Sequence, residues 1–201
     1  MNGTGNNEGL KLEGESIELE LLEPGHKSQL ASLLNNEAIW EFTWRKVTEL
    51  AQAEALVDEA LQARANGTQL PFAVIDKKSG RIVGTTRIAE MNRTHRIAEV
   101  GYSWLSPAVW RTKVNTECKR LLLAYCFEQL NVQRVQFSVS HFNIRSQRAV
   151  ERIGAVKEGV LRRARVKPDG SIHDVVIYAI LDNEWPAVQD SLDGLLRKTY
   201  R

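Results

Sequence analysis

The run from Glu99 to Gly154 constrains the fold more than any other part of this 201-residue chain, because its signals follow one another in a fixed order. A strand, Glu99 to Leu105, is broken by Pro107 and followed by the short basic loop Arg111-Thr112-Lys113-Val114. A helix then opens at Asn115-Thr116-Glu117 and runs to Leu130, with Cys118, Leu121, Leu122, Tyr125 and Cys126 on one apolar stripe. Val135, Phe137 and Val139 alternate with Arg134, Gln136 and Ser138, the period of two of another strand. Together these segments form a strand, crossover helix, strand unit. Asn143 caps a second helix carrying Ala149, Val150 and Ile153, and Gly154 ends it. The unpaired N–H groups of a helix start, with Arg111 and Lys113 just ahead of one, make an anion site suited to phosphate.

The remaining segments fit around that unit. Ile17, Leu19 and Leu21 alternate with acids as a half-buried first strand, and Leu30, Leu33 and Leu34 follow as a short helix. From a Thr48 cap, Ala53, Leu56, Val57, Ala60 and Leu61 recur at helical spacing until Asn66-Gly67. The turn Asp76-Lys77-Lys78-Ser79-Gly80 joins two strands into a hairpin, and Pro168-Asp169-Gly170 joins two more near 155–166 and 172–181. A closing amphipathic helix carries Val188, Leu192, Leu195 and Leu196, a stripe that packs on its own domain or on a second copy as a homodimer.

Composition narrows the function classes. The predicted organisation is a flexible tail over 1–14, its first nine residues rich in Gly and Asn, and one domain over 15–201. A net charge of +2, with the basic residues scattered among acids, argues against a nucleic-acid partner. Neither a signal-peptide pattern nor a membrane-length apolar run is present, which points to the cytoplasm. Cys118 and Cys126 lie roughly 12 Å apart along one helix, beyond the ~7 Å reach of a disulfide, and no metal-ligand spacing occurs.

Taken together, Glu99-Val100-Gly101-Tyr102 on the fourth strand, the loop Trp110 to Glu117, and Asn143-Ile144-Arg145-Ser146 through Ile153-Gly154-Ala155 resemble the GNAT superfamily of acetyl-coenzyme-A-dependent N-acetyltransferases, in its ribosomal-protein-alanine (Rim-type) branch. The likeness covers roughly 15–185. It implies an α+β fold with a central mixed, mostly antiparallel, V-shaped sheet of about seven strands flanked by helices. It also implies an enzyme whose donor is acetyl-CoA and whose acceptor is a primary amine, a protein N-terminus or a small molecule, attacking directly in a ternary complex. The family's pyrophosphate loop carries Gln or Arg followed by two glycine-type positions, where this chain has Trp110, Lys113 and Asn115. That departure motivates an alternative: a non-catalytic acyl-CoA-binding module of the same fold.

The resemblance implies coenzyme contacts from Arg111, Thr112, Lys113, Val114, Asn115 and Thr116, from Asn143 and Ser146, and from backbone near Ser103, Trp104 and Leu105 that is left open by strand splaying. Ser146 matches the serine that Rim-type enzymes place near the sulfur; the same residue also suits an ordinary first helical turn. Glu99 is the candidate base, acting through water, with a cross-strand ion pair to Arg87 or Arg96 as the plain alternative. An α-amine of pKa near 8 is about a tenth neutral at pH 7, against about one in 2,500 for lysine, so a weak base favours the former. His141 is the nearest other base, and Cys118 and Cys126 read as core. Trp40, Phe42 and Trp44 fall where the family walls its acceptor site, and Arg162, Arg163, Arg165 and Lys167 form a basic strand face.

Overall fold

The computed structural model describes residues 9–198. Eight strands form one sheet in the order β1-β2-β3-β4-β5-β6-β8-β7: β1 (Lys11–Glu13), β2 (Ile17–Leu21), β3 (Leu70–Asp76), β4 (Arg81–Asn92), β5 (Ile97–Leu105), β6 (Arg134–Ser140), β7 (Val156–Val166) and β8 (Ile172–Leu181). All neighbours are antiparallel except β5 and β6, as the crossover through α3 (Val114–Ala124) requires. The other helices are α1 (Lys27–Leu34), α2 (Leu50–Ala65), α4 (Ile144–Arg152) and α5 (Trp185–Arg197). Eight strands replace the expected seven because Lys11–Glu13, assigned to the tail, pairs with Glu18–Glu20. Lys11 binds Glu18 and Glu20, and the charge alternation of β2 thereby holds a strand too short to announce itself. Residues 1–8 of that predicted tail lie outside the described residues.

Two cores lie on opposite faces of the sheet. One gathers Leu122, Phe137, Tyr178 and Leu192 beneath α3, α4 and α5; the other gathers Leu30, Trp40, Leu56 and Trp104 beneath α1 and α2. The C-terminal stripe is used internally, since Val188 and Leu192 are buried in the first core and Leu195 packs against it. A homodimer would therefore need another face. The helix predicted to Leu130 stays α-helical only to Ala124 and continues as one wide π turn, Tyr125–Gln129. The cap predicted at Thr48 shifts to Glu49, while Thr48 is held by the Gln52 side chain. Gly154, at φ +94°, takes the left-handed turn expected after α4.

The sheet is V-shaped for a specific reason. β5 and β6 pair only at Ile97–Arg134, Ala98–Val135 and Glu99–Gln136, then separate. On its other side β5 stays paired with β4 as far as Leu105–Gly84, through a bulge centred on Tyr102. Tyr102 sits at φ +51°, strained for an aromatic residue, and the Arg87 guanidinium lies 4.4 Å from its ring. Beyond Glu99, β5 thus offers unpaired backbone toward the opening, across from the β6 edge that is likewise unpaired from Phe137 to Ser140.

Candidate active site

The open end of the V is framed by two helix starts. At the first, the loop after β5 turns through Pro107–Val109, and Thr112 Oγ1 donates to Val109 O at 2.7 Å while accepting from Val114 N at 3.3 Å. That leaves the Asn115 and Thr116 amides without a partner among the described residues, on the positive end of α3. Helix α3 begins at Val114 with Lys113 as its cap, one residue earlier than predicted. Lys113 has ordinary helical backbone at φ −68°, and the left-handed residue of the loop is the exposed Arg111 at φ +62°. Neither of the two replaced glycine positions therefore requires left-handed backbone in this chain.

At the second start, Asn143 Oδ1 accepts from Ser146 N at 3.0 Å, the predicted cap. Ser146 is half-buried, and among the described residues its hydroxyl has no hydrogen-bond partner. Arg145, from the same turn, stacks on Trp110 at 4.0 Å, so the two helix starts touch across the mouth of the opening. Trp110 also donates from Nε1 to Leu105 O at 2.9 Å. A family position that usually carries Gln or Arg here carries a ring clamped by an arginine from the neighbouring helix.

Helix α3 is fixed to the sheet from below. Glu117, buried, accepts from Ser16 N at 2.9 Å and from the Ser16 hydroxyl. The fit is close enough that a Cβ at Gly14 would fall 2.2 Å from Glu117 Oε1. Thr116, fully buried, receives Arg152 Nη2 of α4 at 3.5 Å. Of the predicted contact residues, Val114, Thr116, Trp104 and Leu105 have buried side chains, so only their backbone can meet a ligand.

Glu99 sits at the vertex, on the last paired rung, facing the α1–α2 side. Ser138 Oγ donates to Glu99 Oε2 at 2.9 Å and Gln136 Nε2 at 3.1 Å. Burial pushes the carboxyl above its ordinary value, opposed by those two hydrogen bonds. The predicted ion pair to Arg87 or Arg96 does not form. Arg87 turns to Gln69 and the Leu56 carbonyl, and Arg96 turns to Asn131. His141 is also occupied: its Nδ1 accepts from Asp174 N at 3.0 Å and ties the end of β6 to β8.

The acceptor-wall aromatics divide. Trp40 is core, donating to Leu34 O at 2.8 Å and packed 4.9 Å from Trp104. Trp44 is half-buried, with Arg165 of β7 5.7 Å from its ring, and Phe42 is exposed. Between this connection and the β7–β8 turn lie two open clefts of about 480 and 660 Å³, the first bounded by Trp40, Glu41, Lys46, Lys167 and Asp169. Arg162 and Arg163 of the basic run are exposed. Burial pushes the thiols of Cys118 and Cys126 up to about 12, which leaves both inert.

Lys119 was not among the predicted residues. It is 5% exposed, on the sheet-facing side of α3, and its Nζ donates to Ser103 Oγ at 2.5 Å. Ser103 Oγ lies 2.8 Å from Thr86 Oγ1, so a hydroxyl pair under the bulge meets a buried amine. The signal was present in the helical period: position 119 lies three before Leu122 and four before Leu123, both fully buried.

Comparison with known proteins agrees with this geometry. The acetyltransferase (GNAT) domain family matches residues 16–156. The "Putative ribosomal N-acetyltransferase YdaF" of Bacillus subtilis (strain 168) is 27% identical over 176 residues, covering 85% of this chain and 94% of its own. An uncharacterized N-acetyltransferase, p20, of Bacillus licheniformis is 26% identical over 138 residues, 69% of this chain and 76% of its own. The structure of a GCN5-related N-acetyltransferase from Brucella melitensis superposes with a TM-score of 0.84 at 28% identity, covering 93% of this chain and 85% of the other. The overall fold is thus shared with an acetyltransferase, and the chain belongs to the GNAT family of acetyl-CoA-dependent acyltransferases.

Proposed function

We propose that this protein transfers an acetyl group from acetyl-CoA to a primary amine, by direct attack within a ternary complex. The observation that carries the reading is the parting of β5 from β6 after Glu99, with the α3 start at the open end. The amides of Asn115 and Thr116, with Arg111 and Lys113 beside them, would hold the pyrophosphate. Unpaired β5 backbone from Ser103 to Leu105 would align the pantetheine arm, and Asn143 and Ser146 would flank it from α4. Acetyl-CoA supplies an activated thioester; the chain supplies positioning, N–H donors for developing negative charge, and proton acceptors.

Glu99 is the proposed base, through a water molecule. It faces the α1–α2 side, and its raised proton affinity brings it closer to the range a base needs near neutral pH. Ser146, with an unengaged hydroxyl, is the proposed hydroxyl on the sulfur side. The acceptor would enter between Trp44 and the β7–β8 turn, where the clefts lie. A weak base and the absence of a free histidine beside Glu99 favour an α-amine, consistent with the ribosomal N-acetyltransferase name of the YdaF relative. The compartment we infer is the cytoplasm; among the described residues no helix is long and apolar enough to cross a membrane.

Calorimetry with acetyl-CoA and CoA, followed by thiol release against a panel of peptide N-termini and small amines, tests the proposal. Saturable binding with turnover on at least one amine is expected. Binding of neither coenzyme form would overturn it.

A further inference from the structure

A buried lysine normally has a carboxylate for company, and Lys119 has none. Among the described residues its Nζ has one hydrogen-bond partner, Ser103 Oγ, although an ammonium can donate three bonds. The charged and titratable groups on the elements packed around it are engaged elsewhere. Glu117 is held by Ser16, Arg120 by Asp193 of α5 at 2.8 Å, and Arg152 of α4 reaches Thr116. Cys118 beside it is a neutral thiol, and Glu99 and Tyr102 project from the opposite face of β5. Burial accordingly pulls the amine down to about 8.

The position of this uncompensated group is informative. Ser103 lies on the part of β5 that has already left β6, one residue past the left-handed Tyr102. Its hydroxyl joins Thr86 and lies 3.3 Å from the Gly101 carbonyl, so the amine is coupled to the segment whose backbone borders the opening. An anion arriving at that edge would give the ammonium the counter-charge that the protein withholds.

We propose that Lys119 is a positioning residue that, through Ser103, holds a positive charge against the sulfur end of the bound thioester and stabilises the departing thiolate. This rests on the assignment of the β5–β6 opening to the thioester. As the acceptor nitrogen bonds to the acetyl carbon, the carbon–sulfur bond breaks and its electron pair stays on sulfur. Ser103 donates a hydrogen bond to that sulfur while accepting one from the Lys119 ammonium. The proton lost by the amine passes to Glu99 through water, so charge and protons balance without proton release from Lys119.

The test is the titration of CoA's own thiol in the complex, read as thiolate ultraviolet absorbance against pH, independent of turnover. In the unaltered protein the bound thiol should ionise about one pH unit or more below free CoA. Lys119→Met and Ser103→Ala should each return it to the free value, with CoA still bound and melting still cooperative. Turnover should fall roughly 100-fold in kcat for Lys119→Met with KM for acetyl-CoA little changed, and Lys119→Arg should recover part of it. A bound thiol that ionises as in free CoA, or one whose shift survives both substitutions, overturns the inference. CoA that does not bind overturns the site assignment itself, and this inference with it. Should Lys119→Met fail to fold, Ser103→Ala decides the matter alone.

Discussion

The two faces of β5 meet opposite chemistry, and the contrast shows how burial acts on an acid and on a base across one strand. On the α1–α2 face, Glu99 is a carboxyl pushed up by burial and held at Oε2 by Ser138 and Gln136. On the α3 face, Lys119 is an amine pushed down by burial and held by a single hydroxyl. Burial disfavours the charged form on both faces, raising the carboxyl and lowering the amine. The faces differ in what each leaves open: both bonds to Glu99 fall on Oε2 and leave Oε1 without a hydrogen bond among the described residues, whereas the Lys119 side lacks an anion. Separation by the sheet keeps the two from forming the ion pair that would silence both.

The largest expected effect probes the Lys119 face. Removing the Lys119 charge by Lys119→Met should stabilise the unliganded protein below pH 8 by up to about 3 kcal/mol, the equivalent of lowering an amine from 10.5 to about 8. The sign follows from proton counting. Between pH 8 and 10.5 the unfolded chain keeps a proton on this lysine that the folded chain has lost, so this group's contribution to stability rises with pH. The advantage of the variant should therefore shrink across that window, as denaturant titrations at pH 7 and pH 10 would reveal.

Next in size, Glu99→Gln should cost roughly 100-fold in kcat, about 2.7 kcal/mol of barrier, and remove the acidic limb of the rate profile. A limb that persists in the variant would assign it to another group and break the comparison. Gly14→Ala should then cost about 2 kcal/mol of stability, because the new methyl displaces Glu117 from Ser16 and loosens the helix that carries Lys119. Smallest is Asn143→Ala, about 1 kcal/mol from the lost cap, measured by thermal melting.

What the sequence made legible follows the strength of each local signal. The crossover unit, both hairpins and the Asn143 cap were readable because apolar period and turn chemistry coincide there. β1 was not, since three residues carry no usable period and its partner lies across a turn. Glu99 is legible as a strand residue, but its hydrogen-bond partners Gln136 and Ser138 sit on β6, at and just past the last rung it shares with β5, which no local pattern reveals. Lys119 is hard to read because lysines are mostly solvent-facing, although its spacing from Leu122 and Leu123 places it on the buried stripe. Arg145 on Trp110 joins two loops 35 positions apart, and only the folded chain brings them together.

The central claim is that the opening between β5 and β6 receives an acyl-CoA. An amide-resolved NMR titration of the full chain with CoA measures this directly. The largest shifts are expected at Ser103 to Leu105, Asn115 and Thr116, and Asn143 to Ser146, with the β1–β3 half of the sheet unmoved. Shifts confined to other surfaces, or none at saturating CoA, would contradict it.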